Sequence, residues 1–149
     1  MTSELENQNL IVAHMFVEQF LGKGDMDVAE KVLAENVQAT TGLKPDGPIN
    51  GREQYKQIFA AFFEAFPPVD DLVIEDSFAT RDRAVVRFRS RQKHAKDYFG
   101  IAATQRIITF IETHVMRIQD GRIVENVVSA TNLEFEMLMA PVLSPLILK

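Results

Sequence analysis

Residues 104–130, TQRIITFIETHVMRIQDGRIVENVVSA, decide the fold. Asp120-Gly121 interrupts two runs rich in Ile, Val, Thr and Phe, and such a pair between β-forming runs marks a hairpin because Gly takes a positive φ at no steric cost. With Gly121 as the bulge residue of a three-residue loop, one face of the first strand carries Ile108, Phe110, Glu112, His114 and Met116. The return strand answers with Val124, Asn126, Val128 and Ala130. This register sets Glu112 across from Val128 and His114 across from Asn126. Two ionisable side chains share an otherwise apolar face, and burying a charge without a partner is costly. Glu112 and His114 are therefore the first candidates for chemistry, with Asn126 placed to orient the imidazole or to bond an oxyanion.

Upstream of the hairpin, Ala13, Phe16, Val17, Phe20 and Leu21 recur at helical spacing and predict a helix over 8–21, closed by Gly22 and Gly24. His14 lies off that stripe, near Glu18, as a surface histidine does. Asp25 predicts the N-cap of a short second helix ending at Asn36, followed by a strand over 37–41. Breaker-rich GLKPDGPING predicts a loop, and Tyr55, Ile58, Phe59, Phe62, Phe63 and Phe66 predict an amphipathic helix over 52–66 that Pro67-Pro68 stops. Two alternating strands follow, 71–78 and 84–93, with Glu75 opposite Arg87, Asp71 opposite Arg91, and an outward charged row of Arg87, Arg89 and Arg91. Beyond the hairpin, Asn132 predicts the cap of a helix running through Met139, and APVLSPLILK is an apolar tail broken by Pro141 and Pro145.

The chain has 149 residues, no cysteine and a formal net charge of -5. This length makes one domain over 1–149 with a core of its own. Zero cysteines exclude a disulfide scaffold, a thiol nucleophile and thiolate-held metal. The acidic balance argues against duplex nucleic acid as a partner. No secretory-signal pattern opens the sequence and no apolar run reaches the length of a membrane span, so a cytoplasmic protein with no membrane partner is expected. His14, His94 and His114 show no metal-ligand spacing, and neither a metal nor a cofactor is expected. The order helix, helix, strand, helix and then four antiparallel strands predicts an α+β fold, a cone-shaped α+β barrel whose curved, mostly antiparallel sheet wraps over three helices.

The run RSRQKHAKDYFGIAATQRIITFIETHVMRIQDGRIVEN resembles the central signature of the SnoaL-like polyketide cyclases, within the nuclear transport factor two-like superfamily. The resemblance rests on Arg91, His94, Asp97-Tyr98, Gly100, Thr104-Gln105-Arg106, Met116-Arg117-Ile118 and Asp120-Gly121-Arg122-Ile123-Val124-Glu125. It implies a sheet and helices around an apolar cavity, and intramolecular aldol ring closure without metal or cofactor. It also implies a histidine at the position of His114 and an aspartate three residues after Glu125. That position is Val128, with Val127 where a tryptophan is usual. Because an aliphatic side chain cannot serve as a general acid, Glu112 is the candidate replacement.

The chain is thus expected to be a cyclase or isomerase moving protons on an apolar, oxygenated polyketide- or terpenoid-like small molecule. An epoxide-opening hydrolase and a non-catalytic binding or dimerisation module are the alternatives. His114 is expected to act as general base, with Glu112 or a water returning the proton. Phe16, Phe59, Phe63, Phe110 and Met116 are expected to border the cavity together with Val128, His94 and Arg91, the last two serving either the substrate or the strand ends. Apolar Ile107, Ile111 and Val115 on the opposite face of the hairpin call for a second subunit, hence a homodimer.

Overall fold

In the computed structural model, which describes residues 3–148, the hairpin forms the centre of a six-stranded sheet. Its strands β5 (Ile107–Gln119) and β6 (Arg122–Ala130) are flanked by β4 (Arg83–Lys93) and β3 (Val73–Ala79) on one side. On the other lie β1 (Leu33–Thr40) and β2 (Ile49–Asn50), giving the order β2-β1-β6-β5-β4-β3. Every pairing is antiparallel except β1 with β6. The α+β class and the mostly antiparallel curved sheet are as expected. Among the described residues there are five α-helices: α1 (Glu4–Met15), α2 (Met26–Val32) and α3 (Arg52–Ala65) under the sheet, α4 (Leu133–Leu138) where a helix after Asn132 was expected, and α5 (Ala140–Ile147), which was not expected. The apolar tail is helical because Pro141 falls in the first turn of α5, where no N–H partner is needed.

The hairpin register differs from expectation by two residues. Asp120 (φ 51°) and Gly121 (φ 77°) both take left-handed backbone, so the turn has two residues and pairs Gln119 with Arg122. A bulge at Val124 then shifts the ladder by one more, between Ile118↔Ile123 and Arg117↔Glu125. Glu112 consequently pairs with Ala130, His114 with Val128 and Met116 with Asn126. The bulge also exchanges the residue facing inward, since Ile123 is fully buried and Val124 only partly so.

A second irregularity lies at Glu75. Ile74 pairs with Phe88 and Asp76, not Glu75, with Arg87. Arg91 pairs with Thr109 on β5, and its guanidinium reaches Asp70 Oδ2 at 3.0 Å rather than Asp71. Helix α2 stops at Val32, short of Asn36, because Leu33 turns to extended backbone and pairs with Ile123, burying its side chain completely. The first helix changes character after Met15 and continues as a π-helical segment, Phe16–Leu21. That segment places Phe16, Val17 and Phe20 wholly inside.

The core lies between the concave face of the sheet and helices α1 to α3 and is largely aromatic. Phe16 stacks on Phe20 at 5.4 Å, Phe20 meets Phe59 at 4.8 Å, and Phe62 meets Phe66 and Phe110 at 5.1 and 5.5 Å. Stacked and edge-to-face pairs at such separations each add about 0.5–1.5 kcal/mol beyond area burial. At the joint before α2, Gly24 has φ +69° and an added Cβ would stand 2.8 Å from the Phe63 ring, so only glycine fits. Among the described residues nothing covers the convex face. It exposes Ile107, Ile111, Val115 and Val127, each 37% accessible or more.

Candidate functional site

Alternation along β5 sends Phe110, Glu112, His114 and Met116 to the concave face, as expected from the sequence. His114 is 2% exposed, between the rings of Phe16 (6.2 Å) and Phe88 (5.2 Å). Both of its ring nitrogens are occupied within the protein. Nε2 meets Glu112 Oε1 at 2.9 Å, and Nδ1 meets Asn126 Nδ2 at 2.9 Å. An amide nitrogen only donates, so Nδ1 is the acceptor and the proton sits on Nε2, donated to the Glu112 carboxylate. The same Asn126 amide donates to Tyr55 Oη at 2.9 Å, and Asn126 Oδ1 has no hydrogen-bond partner. Burial pushes the Tyr55 phenol well above its ordinary pKa, so it remains a neutral hydroxyl.

Glu112 receives a second hydrogen bond, from Asn132 Nδ2 to Oε2 at 2.8 Å. Asn132 Oδ1 meanwhile accepts from the Ile111 N–H at 2.8 Å. The Asn132 side chain thereby extends the hairpin ladder one step beyond Ala130, and it makes no capping bond to α4. The result is a continuous chain, Tyr55–Asn126–His114–Glu112–Asn132. Only the Glu112 end borders substantial open space, with its side chain 22% exposed against 3% for His114.

Two spaces meet at Glu112. The inner one, about 40 Å³, is lined by Glu112, His114, Tyr55, Phe59, Phe88, Ser90, Gln92 and Phe110 among others. The outer one, about 390 Å³, lies beneath α4 and α5 and is lined by Phe110, Glu112, Val128, Ala130, Asn132, Phe135, Leu143 and Ile147 among others. Thr41, Leu43, Phe110 and Glu112 belong to both walls. The outer volume falls in the range of small-molecule sites; the inner one admits a substituent or water and no whole ring.

Of the five side chains expected to border the cavity from Phe16 to Met116, Phe59 and Phe110 are wall residues. Phe16 and Met116 are fully buried in the packing behind His114, and Phe63 turns aside to cover Gly24. Phe62, one residue earlier on α3, takes the wall position. Val128 lines the outer space. His94 lies elsewhere, buried and stacked on Phe66 at 4.6 Å, with Nδ1 accepting from the Thr104 N–H at 3.2 Å. It ties the 94–104 loop to the core. Burial lowers its pKa, partly opposed by Asp97. Arg91 is exposed on the outer face and salt-bridged to Asp70, so it does not reach the cavity. Tyr55, Ser90, Gln92 and Asn132 were not among the candidates. Among the described residues no group of His, Asp and Glu could hold a metal ion, and no helix is long and apolar enough to cross a membrane.

A curved sheet over helices, with a hydrogen-bonded His114–Glu112 pair beside an apolar pocket, is the nuclear transport factor two-like fold. The SnoaL-like polyketide cyclase family model matches residues 11–135, and the chain belongs to that family. No curated protein matches it. Among solved structures, it is similar to a candidate SnoaL-like polyketide cyclase from Jannaschia sp. CCS1, with 18% identity, 94% of this chain and 96% of that one covered, and a TM-score of 0.81. It is also similar to AclR, a candidate hydroxylase from Streptomyces galilaeus (16% identity, 89% and 84% covered, TM-score 0.73). IdmH, a candidate polyketide cyclase from Streptomyces antibioticus, matches at 21% identity, 83% and 93% covered and TM-score 0.65. At these identities the likeness establishes the fold alone.

Proposed function

We propose that the chain is a cofactor-independent cyclase or isomerase for an apolar, oxygenated polyketide- or terpenoid-like molecule, with Glu112 as the proton-transfer group and His114 holding it. The observation that carries this reading is the 2.9 Å contact from His114 Nε2 to a Glu112 carboxylate that borders both spaces, while Nδ1 is held by Asn126. In the sequence-based expectation His114 was the base. With both nitrogens engaged, the direct exchange with substrate passes to Glu112, and His114 becomes a positioning residue and proton reserve.

In an aldol closure, Glu112 takes a proton from the carbon next to a substrate carbonyl. The resulting enolate carbon bonds to a second carbonyl carbon of the same molecule, and the new alkoxide recovers the proton from Glu112. Hydrogen bonds from His114 and Asn132 hold the carboxylate in place. We further propose a homodimer formed through the convex face, because its exposed aliphatic row is of the kind that marks an interaction surface.

The test is turnover of aromatic polyketide esters capable of internal aldol closure, followed by absorbance. Glu112→Gln should lower kcat by about 100-fold or more in a folded protein, the scale of a lost general base. Undiminished turnover in folded Glu112→Gln overturns the assignment.

A further inference from the structure

Strand β4 sends Ala84, Val86 and Phe88 into the core, and the same face continues with Ser90 and Gln92, 8% and 6% exposed. Two polar side chains at buried positions of an apolar face call for partners. The Ser90 hydroxyl donates to Gln92 Oε1 at 3.1 Å, and Gln92 Nε2 donates to the Phe66 carbonyl at 2.7 Å. That carbonyl ends α3 just before Pro67-Pro68, which offer no N–H, so Gln92 has a structural task. Ser90 has none beyond fixing the Gln92 amide. Its proton is committed, which leaves Ser90 Oγ free only to accept, while Gln92 keeps a second N–H free to donate. Both border the inner space, one residue pair along the sheet from Glu112: Ser90 stands opposite Phe110, and Phe88 opposite Glu112.

We infer that Ser90 and Gln92 form a subsite for a hydroxyl group of the ligand, received in the inner space while the ring system rests in the outer one. A hydroxyl both donates and accepts, and so complements an acceptor beside a donor. An ether or a bare ring edge does not. The inner space, about 40 Å³, has room for such a substituent past Glu112. This subsite rests on the proposal that the ligand occupies the outer pocket against Glu112, and it adds a criterion of substrate selection on the inner side of that carboxylate.

The experiment measures binding of 2-naphthol and naphthalene to the full chain by ligand fluorescence, in the wild type, Ser90→Ala and Glu112→Gln. The wild type should prefer 2-naphthol by about tenfold, the scale of one or two neutral hydrogen bonds in a buried site. Ser90→Ala should reduce the preference without weakening naphthalene, and Glu112→Gln should retain the preference. A preference unchanged in Ser90→Ala overturns the subsite, as does failure of the wild type to bind either probe. Should the subsite hold while Glu112→Gln keeps full turnover, the catalytic assignment alone fails. If Ser90→Ala does not fold, a crystal structure of the wild type with 2-naphthol decides. Its oxygen within hydrogen-bond distance of Ser90 Oγ supports the subsite, and an oxygen placed elsewhere overturns it.

Discussion

Replacing Asn126 by leucine tests the polar chain at its most buried point. Asn126 is wholly buried, and its amide donates to both Tyr55 Oη and His114 Nδ1 at 2.9 Å. Leucine has nearly the same shape and no polar atom, so the change leaves those two groups buried without their donor. Each such loss costs about 1–3 kcal/mol, and removing the unpartnered Oδ1 returns a similar amount once. The balance is a destabilisation of about 2 kcal/mol, or about 4–8 °C in melting temperature for a domain of this size. A second readout does not depend on any substrate. In wild-type protein, long-range proton–nitrogen spectra should show His114 as the Nε2–H tautomer with a hydrogen-bonded Nδ1. In Asn126→Leu the Nδ1 signal should move toward that of an unbonded imine-type nitrogen. In turnover, kcat should fall by about 10- to 100-fold with little change in KM, the pattern of a lost supporting contact to a working side chain. An unchanged melting temperature together with an unchanged His114 spectrum would refute the network.

Three further outcomes follow from single features. Gly24→Ala should destabilise by at least about 1–2 kcal/mol, the cost of left-handed backbone, with the Phe63 contact adding to it; a melting curve that matches wild type would remove that account. His94 has a folded-state pKa held below its ordinary 6.5 by burial, so its contribution to stability is complete above that value and is lost as pH falls toward the folded-state pKa. Melting temperatures scanned from neutral to mildly acidic pH should drop more steeply for wild type than for His94→Gln, and parallel curves count against it. Light scattering at micromolar concentration should find a dimer that Val115→Lys with Val127→Lys converts to a folded monomer; a monomeric wild type contradicts the convex-face proposal.

The elements that announce themselves by period or turn chemistry were legible in the sequence. The Asp120-Gly121 turn, the apolar stripe of α3 and the alternation of β4 each depend on neighbours within one turn or one pleat, and a single chain carries that information. Register does not share this property. One extra residue at Val124 and one at Glu75 shift every later partner, and nothing in either residue type marks the bulge. Glu112 and His114 stood out because charge on an apolar face needs explanation. The same reasoning applied to β4 reaches Ser90 and Gln92, whose polarity breaks the inward run Ala84, Val86, Phe88. Tyr55 and Asn132 carried no such mark. One lies in an aromatic stripe and the other has the look of a helix cap, and only tertiary pairing turns each toward the polar chain.

The valine at 128 fits this arrangement. In the observed register Val128 is the direct cross-strand partner of His114, so an aspartate there would approach the imidazole from β6. Glu112 reaches the same ring along β5 and places its carboxylate at the wall shared by the inner and outer spaces. Two carboxylates around one imidazole would repel, and one of them would be driven to hold a proton. Val128 avoids this conflict and adds apolar surface to the outer pocket. On the proposed reading, the reacting centre therefore lies at the boundary between the two spaces. A ligand would meet the base there, with its ring system outside and its hydroxyl group within.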